Sequence, residues 1–133
     1  MSIRAKNVPV WDEEGPPILP MPFAVTNRYY WLQVVIDFAP ADVYCRAICF
    51  AIAHHAGSTG ESWPSIELLQ RETSAARSVV IDRLGRMVEG GWLIRSKHRY
   101  KGATWRFNKY HLSVPSSLRS TYESHAAAGE KKW

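Results

Sequence analysis

The residues of this chain best suited to do chemistry are its cations. Arg95, Lys97, Arg99, Lys101, Arg106 and Lys109 stand between positions 91 and 112 with no acid among them. A one-sign cluster set in a folded ribbon suits an anionic partner, and phosphate is the commonest one. The plainer reading is a solvated basic hairpin that aids solubility. The net charge of +5 is unevenly distributed. Residues 1–66 carry four Lys/Arg against six Asp/Glu, and residues 67–133 carry thirteen against six.

Catalytic groupings are not apparent. A nucleophile–base pair, a metal-ligand set or a phosphate-cradling glycine loop would show as clustered polar residues, and none does, so the chain reads as no enzyme. Cys45 and Cys49 lie one helical turn apart in an apolar stretch, where a disulfide would be strained. His54 and His55 are near, but Cys49 and His54 are five apart and turn to different faces, and there is no second cysteine pair. Buried reduced thiols are expected, with no metal and no cofactor. His54 and His55 fall in the last turn of a helix, where a partial negative charge favours a cation, and this is reason enough for them.

Elements must position the cations. With 133 residues, 46% of them hydrophobic, the chain suits one core with tails. No apolar run is long enough to span a bilayer and the N-terminus lacks an apolar signal core, so a cytoplasmic protein without membrane contact is expected. Residues 1–27 hold Pro9, Pro16, Pro17, Pro20 and Pro22 around Asp12-Glu13-Glu14 and read as an extended arm. Its Trp11, Ile18, Leu19, Met21 and Phe23 call for cover by the domain or by a second subunit. Residues 28–38 favour a strand by their aromatic and β-branched content, while periodicity leaves a short helix open.

Pro40 and Gly57 bracket a core helix of about residues 40–56, apolar nearly all round. After a loop, Trp63-Pro64-Ser65 starts a helix of about 65–72 with Ser65 as cap. Glu72-Thr73-Ser74 makes a turn, and a third helix of about 75–89 buries Val80, Leu84 and Met87 before Gly90-Gly91. Residues 92–97 and 104–112 read as two strands around a turn, and the tail leaves room for a short helix before Gly129. This order predicts an α+β fold, mainly helical: a winged helix-turn-helix with a two-stranded β wing, over residues 28–114 between the arm and a tail at 115–133. Centring Val80 in the core turns Ser78, Asp82, Gly85 and Glu89 outward. The candidate DNA-binding residues are therefore Arg71, Arg77, Ser78, Asp82, Arg83 and Arg86 on the helices, with Arg95, Lys97, Arg99, Lys101 and Arg106 on the wing. Asp82 could accept from a cytosine amino group.

Trp63-Pro64-Ser65-Ile-Glu-Leu-Leu69, then Val80, Leu84, Gly91-Trp92-Leu93 and Asn108-Lys-Tyr110-His-Leu112, resembles the winged helix-turn-helix domains of phage- and plasmid-borne DNA-binding proteins, including replication initiators. The resemblance covers residues 40–112. It implies groove contacts at Arg77, Ser78 and the wing. This chain departs from that pattern at Gln70 (usually alanine), Ser74 (usually glycine), Ala76 (usually a capping serine) and Val79 (usually threonine). Thr73 or Ser74 is expected to supply the cap instead, starting the helix earlier.

The expected function is thus DNA binding, as a transcriptional regulator or replication-origin binder of a phage, plasmid or other mobile element. The expected partner is double-stranded DNA. The alternative is a protein-interaction winged helix, an assembly subunit or inhibitor holding its partner through Val79, Ile81, Asp82 and the N-terminal arm. A homodimer with the arm in its interface is also expected.

Overall fold

In the computed structural model, which describes residues 21–99 and 106–132, the aromatic run after Asn27 is a helix, α1 (Arg28–Phe38), not the strand its propensity favours. The Asn27 side chain accepts from the backbone N–H groups of Tyr29 and Tyr30 and caps the helix. Trp31, Val34 and Val35 face the core, and the Trp31 indole Nε1 donates to the Ser113 carbonyl at 2.7 Å. Burial of that face outweighs β propensity, which is a weak preference open to tertiary override.

The second helix, α2 (Val43–His55), begins later than Pro40 because Asp42 caps it, accepting from the Cys45 N–H at 2.9 Å. Cys45, Ile48, Cys49 and Ile52 are fully buried, so α2 is the central helix, although Val43 and Phe50 remain exposed. Arg28 donates to the carbonyls of Ala53, His54 and Ala56, which places the start of α1 beside the end of α2. Arg46 reaches the carbonyls of Ala39 and Pro40 at the opposite end, so the two helices run antiparallel.

Two further helices follow, α3 (Ile66–Thr73) and α4 (Arg77–Glu89). Ser65 caps α3 through the Leu68 N–H, as its position predicts. The turn differs from expectation. Thr73 Oγ1 donates back to the Leu69 carbonyl, Ser74 takes a left-handed conformation (φ 58°), and Ala76 stands at the start of α4 with no side-chain cap. Val80, Leu84 and Met87 are buried as their spacing requires, and α4 ends at Gly90 before Gly91 turns left-handed (φ 85°).

The sheet is antiparallel and centred on one long strand. The strands are β1 (Pro22–Ala24), β2 (Glu61–Ser62), β3 (Leu93–Arg99) and β4 (Arg106–Pro115). β3 pairs along β4 from Leu93↔Leu112 to Arg99↔Arg106, and β2 pairs with β4 on the other edge at Tyr110 and His111. β1 continues that second edge, with Phe23 opposite Val114. Residues 22–27, the end of the expected arm, are therefore built into the sheet and the cap of α1. At the meeting of these strands Gly60 is left-handed (φ 81°), and a Cβ there would collide with the Val25 carbonyl.

The tail carries a short 3-10 turn and a helix, α5 (Arg119–Lys132). Tyr122 packs edge-on against Tyr30 of α1, and its hydroxyl accepts from the Asn27 N–H. Residues 1–20 of the expected arm, and the tip of the ribbon with Lys101, lie outside the described residues. Among the described residues no helix is long and apolar enough to cross a membrane.

Candidate functional site

The turn at Ser74 lets α3 and α4 pack at an angle, and it leaves one side of α4 uncovered. Ser78 and Asp82 on that side are exposed, with Gly85 and Glu89 half-buried beneath them. The ribbon β3–β4 runs out beside the end of α4. An open concavity joins the two, lined by Ser78, Ile81, Asp82, Gly85, Arg86 and Glu89 on the helix and Arg95 on the ribbon.

Strand alternation sorts the ribbon. Positions 93, 95, 97 and 99 share a face, on which Leu93 is buried, Arg95 is half-buried and Lys97 is exposed. Arg95 stands opposite Tyr110, Lys97 opposite Asn108, and Arg99 opposite Arg106. Burial raises the Tyr110 phenol above its ordinary pKa, and the neighbouring Arg95 acts against that rise. The other face carries His98 stacked on Phe107 and Lys109 paired with Glu61 at 2.9 Å. The acid-free stretch is thus partly neutralised from β2, which sequence distance concealed. Lys109 hydrogen-bonds Glu61 and holds that carboxyl below its usual range.

The arginines of α4 are held by acids. Arg77 Nη1 lies 2.8 Å from Glu67 of α3. Arg83 bridges Asp42 at 3.3 Å and Asp82 at 2.9 Å, and its guanidinium lies over the Tyr44 ring. Arg86 Nε meets Asp82 Oδ2 at 3.0 Å. Asp42, Arg83, Asp82 and Arg86 therefore form one chain of charge from the cap of α2 to the open side of α4. The Asp82 oxygen that receives Arg83 and Arg86 is already engaged, which narrows its capacity to accept from a base. Arg71 and Lys97, both exposed, are in no ion pair among the described residues.

Other chemistry finds little footing. His55 pairs with Glu72 of α3 at 2.8 Å, a tie between helices. Among the described residues no group of three or more His, Cys, Asp or Glu side chains is placed to hold a metal. Among the described residues, Ser62 Oγ is the one buried side-chain polar atom without a hydrogen-bond partner.

No protein-family model, curated protein or solved structure matches this chain.

Proposed function

We propose that this chain is a DNA-binding protein of winged helix-turn-helix design, serving a phage, plasmid or other mobile element as a transcriptional regulator or replication-origin binder. In this reading α3, the Ser74 turn and α4 are the helix-turn-helix, α4 faces the groove, and β3–β4 is the wing. The observation that carries it is the shared concave surface: the open side of α4 and Arg95 of the ribbon border one another, on the strand face that continues to Lys97. Such a surface suits a duplex, with helix residues near base edges and ribbon cations on phosphates. The paired state of Arg77, Arg83 and Arg86 shifts the expected phosphate contacts toward Arg71, Lys97, Arg99, Lys101 and Arg106. Ser78, exposed near the start of α4, is the candidate for base contact, with Arg86 two turns further along the same concavity.

Fluorescence anisotropy with random-sequence duplexes at several salt concentrations tests this. Each phosphate contact contributes a log–log salt slope of about −0.9, so Arg99→Ala with Lys101→Ala should make the slope shallower by about two contacts' worth. An unchanged slope removes the ribbon from the mechanism. A second reading, a winged helix that binds protein, draws support from the acids on α4 and from exposed Ile81 beside half-buried Val79. Failure to bind any duplex at low salt would favour it.

A further inference from the structure

Nine large hydrophobic side chains are exposed among the described residues, and six of them sit on α1 and α2. Four of the six form one face. At 100° per residue, Tyr29 and Ile36 lie on the side of α1 turned away from Trp31. On α2, Val43 and Phe50 likewise lie opposite the buried Ile48–Ile52 side. The antiparallel ties from Arg28 and Arg46 bring these stripes side by side. The result is a continuous patch in which Tyr29 is 63%, Ile36 45%, Val43 74% and Phe50 49% exposed, with half-buried Leu32 and Ala47 between them.

We infer that this α1–α2 face pairs with the same face of a second copy of the chain, forming a two-fold, four-helix contact. Three features favour that occupant. Charge is confined to the edges of the patch: Arg46 is turned to the Ala39 and Pro40 carbonyls, Arg28 reaches the end of α2 and lies over the Tyr29 ring, and exposed Asp37 follows Ile36, while the uncharged polar neighbours are Gln33 and His54. Two-fold pairing therefore sets a mainly apolar centre on a mainly apolar centre, which a polyanion or a highly charged peptide would not match. The shape also fits, since two antiparallel helices offer parallel ridges and grooves that accept the same pair turned over, at helix separations of about 8–10 Å. The area is adequate. Aromatic side chains bury about 150–250 Å² when fully covered, so the patch and its rim supply about 600 Å² per partner, near the lower bound for a specific interface. The inference rests on these helix faces alone and not on what the ribbon binds.

Sedimentation equilibrium of the full chain tests it, from about 1 to 200 micromolar, the range expected of so small an interface. The expected result is a reversible monomer–dimer equilibrium. Val43→Glu should weaken it at least about tenfold, and its fold is protected because an acid in the first helical turn favours the helix. Phe50→Glu, with helicity checked by circular dichroism, should do the same. Ile81→Glu places the same charge on exposed apolar surface off the patch and should leave the equilibrium unchanged. A chain that stays monomeric throughout overturns the inference. So does a dimer that Trp11→Glu dissociates while Val43→Glu and Phe50→Glu do not, because the N-terminal arm would then make the contact.

Discussion

Arg86 and Asp82 lie one turn apart on the open side of α4, with Nε and Oδ2 at 3.0 Å, and Arg83 reaches the same oxygen. A helical side chain leans back toward the N-terminus, so Arg86 projects over the turn that carries Asp82. The pair is made through Nε, and in the proposed reading the guanidinium would address paired acceptors such as guanine O6 and N7. Under the proposed DNA-binding reading, Asp82 would be a positioning residue for Arg86. Asp82→Ala is expected to tighten binding to all duplexes a few-fold, through loss of a negative charge near phosphate, while narrowing the spread of affinities across a sequence panel. Anisotropy on that panel measures both. An undiminished spread would show that Asp82 positions nothing.

The turn between α3 and α4 carries two residues poorly suited to their conformations. Ser74 is left-handed at φ 58°, where a Cβ is strained, and Ala76 caps α4 with no side-chain acceptor for its first amides. Ser74→Gly and Ala76→Ser are each expected to raise the unfolding free energy by about 1 kcal/mol. Urea denaturation midpoints give the answer. A lower midpoint for Ala76→Ser would mean that the start of α4 is satisfied by other means.

The helices and the ribbon were legible because their signals are local. Ser65 announces α3 through its cap, Val80, Leu84 and Met87 mark the buried side of α4, and the glycines at 90 and 91 stop it. The elements that the sequence leaves open or unmarked owe their structure to distant partners. α1 is a helix because Trp31 reaches Ser113 across the core and Asn27 is fixed by Tyr122. β1 and β2 are too short to carry a period and exist only as edges of β4. In the site, residue types were readable but their pairing was not. Nothing in the sequence links Arg83 to Asp42, Arg77 to Glu67 or Lys109 to Glu61, pairs that decide which cations stay available.

Asp42 does two jobs that pH separates. The Cys45 N–H and then the Arg83 guanidinium hold its carboxyl below the ordinary 3.8. A depressed folded-state pKa gives stability that is present above the unfolded value and lost as pH falls through the folded one. Asp42→Asn keeps an effective cap but removes the charge that faces Arg83. The variant should be less stable than the parent at pH 6, and the gap should close as pH falls below 3.8 toward full protonation. Glu61 and Glu67, also depressed, titrate in both proteins and cancel in the difference. Chemical denaturation from pH 6 downward tests this, and a pH-independent gap would exclude the ion pair as the cause.

Cys45 and Cys49 make a separate test of the core. Both are fully buried. Burial, aided by the Asp42 carboxylate, pushes the Cys45 thiol up to about 11, and burial drives Cys49 higher still. Thiolate is the reactive form, so at pH 8 only about one Cys45 in a thousand is ionised, against about a quarter of a free cysteine. Reagent access adds a second barrier, because α2 must move before either sulfur is reached. Labelling with a chromogenic disulfide at pH 8 should therefore be at least about 100-fold slower in the native chain than for free cysteine. In denaturant both thiols should react promptly. Fast native labelling would mean that α2 opens readily at its Asp42 end, and the core position assigned to that helix would be wrong.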